Sequence, residues 1–165
     1  MTPTARILSP DDASWLEDEF NRAWPWPREP GFVERVIAEQ VHVVARSDDG
    51  AYMGHCRINR NSDHPPFRDA GVAEIQDLNV MPPFRRRGAA SALLDLAEST
   101  IADFADVAGI GVGLYDDYGP AQRLYTSRGY VFDGIGAWTN HQPVRGGDTV
   151  VADDDLVLYL TKRLR

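Results

Sequence analysis

AEIQDLNVMPPFRRRGAASALLDLAE, residues 73–98, is the stretch whose reading decides the fold. Its first eight residues carry three large apolar side chains, Ile75, Leu78 and Val80. Successive residues of a strand point to opposite faces, so a regular strand cannot put all three on one side. The phase slips by one residue between Ile75 and Leu78. A β-bulge near Gln76–Asp77 restores a common face and bends the strand. A strand buried on both faces satisfies the same pattern. MPPF ends the strand. From Gly88 to about Ala105 a helix is expected, with Ala89, Leu93, Leu96 and Ala97, then Ile101 and Phe104, at helical spacing.

Between strand and helix stands Arg85-Arg86-Arg87-Gly88-Ala89-Ala90. This layout suits a diphosphate. Free N–H groups at a helix start point at the anion, and the helix dipole adds favourable potential. Gly and Ala keep side chains from holding the phosphates off the backbone. Arginines add charge-assisted hydrogen bonds. The plainer alternative is a helix start that is merely small and basic. Neither G-x-x-x-x-G-K-[ST] nor G-x-G-x-x-G follows the strand, which excludes a Walker loop and a dinucleotide fingerprint.

Upstream, ARIL (5–8) reads as a strand. Ser9-Pro10-Asp11-Asp12 starts a helix through ASWLEDEFNRA, which Trp24-Pro25-Trp26-Pro27 breaks. GFVERVIAEQ (31–40) is a second helix. VHVVARSDDGAYMGHCRINR is a hairpin turning at Ser47-Asp48-Asp49-Gly50, and 59–72 reads as loop. Downstream, AGIGVGLYD (108–116) is a strand. Gly119-Pro120 opens a short helix that stops at Gly129, and YVFDG begins another strand. A mostly irregular stretch precedes the final strand LVLYLTKRL. The order β-α-α-β-β-β-α-β-α-β-β makes a mixed α/β sheet with helices against it.

A chain of 165 residues suits one compact domain spanning 1–165. No apolar run approaches the ~20 residues of a membrane span, and MTPTARILSPDDASW holds no signal-peptide core. A cytoplasmic protein without membrane association is expected. Cys56 is the only cysteine and lies in a strand-like run, which marks it as a buried structural thiol. The four histidines show no i, i+4 pair, so no metal is expected. A net charge of −8 argues against nucleic acid, which needs a basic face. One basic triplet on an acidic chain suits a small anionic ligand instead.

LNVMPPFRRRGAASALLDLAE resembles the acetyl-CoA motif of the GNAT N-acetyltransferases, [QR]-x-x-G-x-[GA], through Arg85, Gly88 and Ala90. PAQRLYTSRGYVFDG resembles the family's A-x-x-L-Y-x-x-x-G-[FY] segment, through Ala121, Leu124, Tyr125, Gly129 and Tyr130. About 35 residues separate the motifs, as in the family, and the element order agrees over nearly the whole chain. One position departs from the pattern: many members carry Asn three residues before that Ala, where this chain has Tyr118.

The resemblance implies a mostly antiparallel sheet whose bulged, splayed strand binds acetyl-CoA as co-substrate. It assigns cofactor contacts to Leu78, Asn79, Val80, Arg85, Arg86, Arg87, Gly88, Ala89, Ala90, Ser91, Tyr118, Ala121 and Tyr125. It implies direct transfer of the acetyl group to a primary amine. Such a reaction needs a proton acceptor for the amine and a donor for the departing thiolate. Tyr125 is the expected donor, because a phenol is protonated at neutral pH; a core tyrosine is its bland reading. Glu74, eleven residues before Arg85, stands where the histone-acetylating branch carries its base. Asp77, in the suspected bulge, is the second candidate, and a water chain is the third. Trp24 and Trp26 are expected to border a small cationic acceptor, by cation–π attraction, and a homodimer is compatible with the chain. The rival readings are a non-catalytic acyl-CoA-binding sensor and a protein or peptide N-acetyltransferase.

Overall fold

A computed structural model describes residues 2–23 and 29–165. The elements are β1 (Thr4–Ile7), α1 (Ala13–Ala23), α2 (Phe32–Glu39), β2 (Val41–Arg46), β3 (Tyr52–Asn59), α3 (Pro65–Ala70) and β4 (Ala73–Val80). They continue with α4 (Ala89–Ala102), β5 (Val107–Gly113), α5 (Gly119–Ser127), β6 (Val131–Phe132), β7 (Trp138–Thr139), β8 (Gln142–Pro143) and β9 (Val157–Arg163). This is the expected mixed α/β fold, a mostly antiparallel sheet with helices against it. The chain forms two compact units, Met1–Asn59 with Gln76–Thr100, and Arg60–Ile75 with Ile101–Arg165. It passes from one to the other inside β4.

In the first unit β1, β2 and β3 pair antiparallel, and the Ser47–Gly50 turn closes the β2–β3 hairpin with Gly50 N–H on the Ser47 carbonyl at 2.8 Å. Asp12, ahead of α1, accepts the Ser9 N–H at 2.9 Å and both arms of the Arg6 fork at 2.9 and 2.6 Å. That fork holds the Asp12 carboxyl well below the usual carboxylate range. Leu16 and Phe20 of α1 and Val33 and Ile37 of α2 recur at i, i+4, and they pack with Leu8, Val44 and Tyr52. Leu16 is wholly inaccessible, which stabilises this core by about 1.5–3 kcal/mol.

The β4 strand carries the bulge. Asp77 adopts φ +50°, a left-handed conformation rare within a strand. Ile75 is buried, Leu78 and Val80 are half-buried, and Asp77 and Asn79 are exposed. The phase slip thus falls where the apolar pattern puts it; before it Ala73, Glu74 and Ile75 are all buried, so the strand is covered on both faces there, and after it burial alternates. The Met81 N–H reaches the Met53 carbonyl at 2.9 Å, tying the end of β4 to β3. Gly54 on β3 is required there, since a Cβ would lie 2.2 Å from the Asn79 carbonyl oxygen.

In the second unit the start of β4 pairs parallel with β5, from Ala73↔Ala108 to Ile75↔Ile110. Along its whole length β5 pairs antiparallel with β9, which also receives β6 and β7. Phe67, Val72, Trp138 and Tyr159 form one of its core clusters.

Two segments differ from the sequence reading. Residues 59–72 are not all loop, because Pro65–Ala70 form a helix. Proline at the first positions of a helix forfeits no hydrogen bond, and Phe67 gains burial there. The stretch before β9 contains the hairpin β7–β8, turned by Asn140 and His141 at φ +48° and +57°. Two positive φ values match a type I′ turn, and the absence of the usual glycine hid it in the sequence.

Candidate active site

The anion-binding turn belongs to the first unit. Arg85–Gly88 are exposed, and the backbone turns through positive φ at Arg86 (+60°) and Gly88 (+87°). Arg85 Nε donates to the Val80 carbonyl at 3.3 Å, folding the turn back onto the end of β4. The Gly88 carbonyl accepts the Ala92 N–H at 3.0 Å and so opens α4. The first N–H groups of a helix have no intrahelical acceptor and carry the positive end of its dipole. Ala89 is buried, and Ala90 and Ser91 are half-buried, leaving no bulky side chain over those donors. These residues fit the diphosphate of an acyl-CoA. Leu78, Asn79 and Val80 lead directly into the turn, with Asn79 Nδ2 near the Asp77 carbonyl at 3.4 Å.

Glu74, Tyr118, Ala121 and Tyr125 belong to the second unit. The α5 helix closes through Gly129 at φ +87°, with the Tyr130 N–H on the Tyr125 carbonyl at 3.1 Å. Tyr125 is buried, its ring 6.1 Å from that of Tyr130, and Ala121 is half-buried one turn earlier. Tyr118 packs over Gly113, where a Cβ would lie 2.4 Å from its ring. Its hydroxyl donates to Asp154 at 2.9 Å, and the Tyr115 hydroxyl donates to the same oxygen. Burial, then that carboxylate, raises the Tyr118 phenol above its ordinary range. Glu74 is buried and accepts the Ser62 hydroxyl.

Asp77 has different surroundings. It pairs with Arg57 and lines a cleft of the first unit with Phe20, Phe32, Val36, His42 and His55. His42 is 3% exposed, and neither ring nitrogen has a hydrogen-bond partner among the described residues. Burial, then the charges of His55 and Arg57, lower it to about 3, so the imidazole is neutral. The buried Nε of Arg57 also lacks a partner among those residues. Of this polar cluster the sequence reading had Asp77, while His42 and His55 escaped it. Its trace was there in the polar residues of the hairpin, because the register places His42 opposite Arg57.

Trp24 and Trp26 lie outside the described residues. Cys56 is wholly buried, and burial pushes its thiol up to about 12, which leaves no thiolate for nucleophilic work. Among the described residues no three His, Cys, Asp or Glu side chains gather as a metal site, and no helix is long and apolar enough to cross a membrane.

A bulged strand, a small basic turn and a helix start, followed by a strand and a short tyrosine-bearing helix, define an acyl-CoA-binding fold. The profile of the Acetyltransferase (GNAT) family matches residues 11–130, and the chain belongs to that family. A comparison with curated proteins returns no match. Among solved structures, Arabidopsis thaliana NAA60 in complex with acetyl-CoA is similar at 17% identity over 98% of each chain, with a TM-score of 0.67. Salmonella typhimurium yncA with its cofactor acetyl-CoA is similar at 16% identity, over 100% of this chain and 95% of that one, with a TM-score of 0.65. Mutant forms of the spermidine/spermine N-acetyltransferase SpeG of Vibrio cholerae are similar at 16% identity, over 99% and 95%, with a TM-score of 0.62. At these identities the likeness is one of fold.

Proposed function

We propose that the protein is an acetyl-CoA-dependent N-acetyltransferase acting on the primary amine of a small molecule, with residues 1–165 serving as one catalytic domain. The observation that carries this reading is the bulge-turn-helix of residues 77–91, exposed, basic and free of bulk over its N–H donors. The diphosphate lies on Gly88–Ser91 with Arg85–Arg87 around it, and the backbone of Leu78–Val80 receives the pantetheine amides. The Val80 N–H polarises the thioester carbonyl.

The acceptor arrives as an ammonium ion, favoured by the net charge of −8 and by the Asp77 carboxylate at the cleft. Once neutral, its nitrogen attacks the carbonyl carbon. The C–N bond forms, the C–S bond breaks, and the thiolate takes a proton from Tyr125. The amine proton leaves through water to Asp77. Support for Asp77 over Glu74 comes from access: Asp77 lines an open cleft, whereas Glu74 is buried and already holds the Ser62 hydroxyl. Thiol release from acetyl-CoA on mixing with a panel of amines tests this reading. Amine-dependent release is expected; tight acetyl-CoA binding with no release across the panel would instead make the protein a sensor.

A further inference from the structure

Arg57 on β3 is poorly matched to the place it occupies. It stands directly opposite His42 of β2, beside walls made by Phe20 of α1 and by Phe32 and Val36 of α2. Its Nε is buried without a hydrogen-bond partner among the described residues, and so are both ring nitrogens of His42. An unpaired buried donor costs stability, and one on a charged group costs more. A methionine would reach as far and fill the space without that penalty. The fold nevertheless keeps a cation there, and Arg57 is the only arginine or lysine among the residues lining the cleft.

The ion pair that Arg57 makes is with Asp77, its Nη2 against Oδ2. Asp77 sits at φ +50°, where the bulge turns its side chain out of the strand's alternation. Half of that side chain is exposed, against about a fifth of the Arg57 side chain. A half-exposed carboxylate on a short stem visits several rotamers unless a partner fixes one. Arg57 approaches it from β3, on the protein side, and leaves its outer half accessible. The neutral His42 brings no rival cation, and His55 is engaged through Nδ1 by the Tyr52 hydroxyl.

We propose that Arg57 is a positioning residue for the acyl transfer, acting through Asp77 by holding the carboxylate in the one orientation from which it accepts the amine proton through water. This role rests on the acetyltransferase reading with Asp77 as proton acceptor. It also gives a reason for the buried, unpaired Nε: stability is sacrificed where the chemistry needs a fixed carboxylate.

A double-mutant cycle of Arg57→Met with Asp77→Asn tests it, alongside melting temperatures and calorimetry of acetyl-CoA. A residue that acts only through its partner adds nothing once the partner is gone. Arg57→Met should lower kcat/KM roughly threefold, with kcat carrying the loss and acetyl-CoA affinity unchanged. The double variant should fall no further than Asp77→Asn alone, roughly fivefold. Arg57→Lys should recover most of the rate, since an ammonium also pairs with one carboxylate oxygen. The melting temperature of Arg57→Met should equal or exceed that of the wild type, because the unpaired donor is gone. Arg57→Gln runs the same cycle if the methionine variant does not fold. Losses that multiply, to roughly fifteenfold in the double variant, would overturn the proposal and leave the acetyltransferase reading standing. So would a lowered melting temperature with kcat per folded molecule unchanged. Wild-type protein that releases no thiol with any amine would sink that reading and the role of Arg57 with it.

Discussion

Two buried histidines show how differently the two units use the same chemistry. His42, in the first unit, is 3% exposed, lacks hydrogen-bond partners for both nitrogens among the described residues and is lowered to about 3. His64, in the second, is 0% exposed, likewise has no hydrogen bond on either nitrogen among the described residues, and is lowered to about 4. Burial is the largest cause in both. Their neighbours differ. His64 stacks on Tyr159 with ring centroids 3.6 Å apart, and Phe67 and Trp138 meet it edge-on at 4.8 and 4.6 Å. Its nearest acid, Asp133, stands 3.8 Å away, beyond a good hydrogen bond. His42 lines a cleft beside a guanidinium and a carboxylate. His64 is boxed by aromatic rings, whereas His42 is buried beside charged groups. An unpartnered ring nitrogen alone does not separate the two uses; the walls do.

That contrast breaks most sharply at Tyr125. If the second unit contributed only packing, Tyr125→Phe would be silent, since the ring remains. The expected result is a loss of about 10²-fold in kcat with acetyl-CoA affinity unchanged, because the phenylalanine cannot protonate the thiolate. Stopped-flow or steady-state rates check it, and a wild-type kcat would return Tyr125 to the core.

In the first unit, Gly88→Glu adds bulk and a like charge to the diphosphate turn, at a backbone of φ +87° that a side chain strains to adopt. Acetyl-CoA affinity should fall at least tenfold, or ~1.4 kcal/mol, in a protein whose circular dichroism is unchanged. Unaltered affinity by calorimetry would remove the turn from the site.

The carboxylates divide the units again. Asp77→Asn should lower kcat/KM by roughly fivefold and shift the low-pH limb of the rate profile, a modest effect because water carries the proton. Glu74→Gln should leave that limb in place and lower the melting temperature instead, since it disturbs a buried hydrogen bond to Ser62. The opposite pattern would restore Glu74 as the base.

The smallest effect sharpens the histidine comparison itself. The folded state depresses the His64 imidazole from an ordinary 6.5 to about 4, so the unfolded chain binds the extra proton between those values. Its contribution is full above pH ~6.5 and is lost as pH falls toward 4. His64→Leu should therefore show a smaller drop in melting temperature between pH 7.5 and 5 than the wild type. An equal drop would mean that other groups, such as His42, carry the acid sensitivity.

Much of this was legible in the residues. The slip between Ile75 and Leu78 pointed to a bulge near Gln76–Asp77, and Asp77 at φ +50° lies within that pair. The small basic turn followed from the spacing of Arg85, Gly88 and Ala90, and Gly129 closed α5 as its position required. These are local events, governed by backbone conformation within a few residues. The α3 helix and the β7–β8 hairpin were missed because burial of Phe67 and Trp138 in one cluster outweighed weak local preferences.

What the sequence by itself determined is therefore the family, the small basic turn ahead of α4 and the position of Tyr125 on α5, all carried by motifs adjacent in the chain. Only the tertiary structure decided which carboxylate is accessible and which histidine faces a cleft. Phe20, Phe32, His42, Arg57 and Asp77 come from five separate elements. Their meeting depends on helix packing and strand register, long-range terms that no short window of sequence contains.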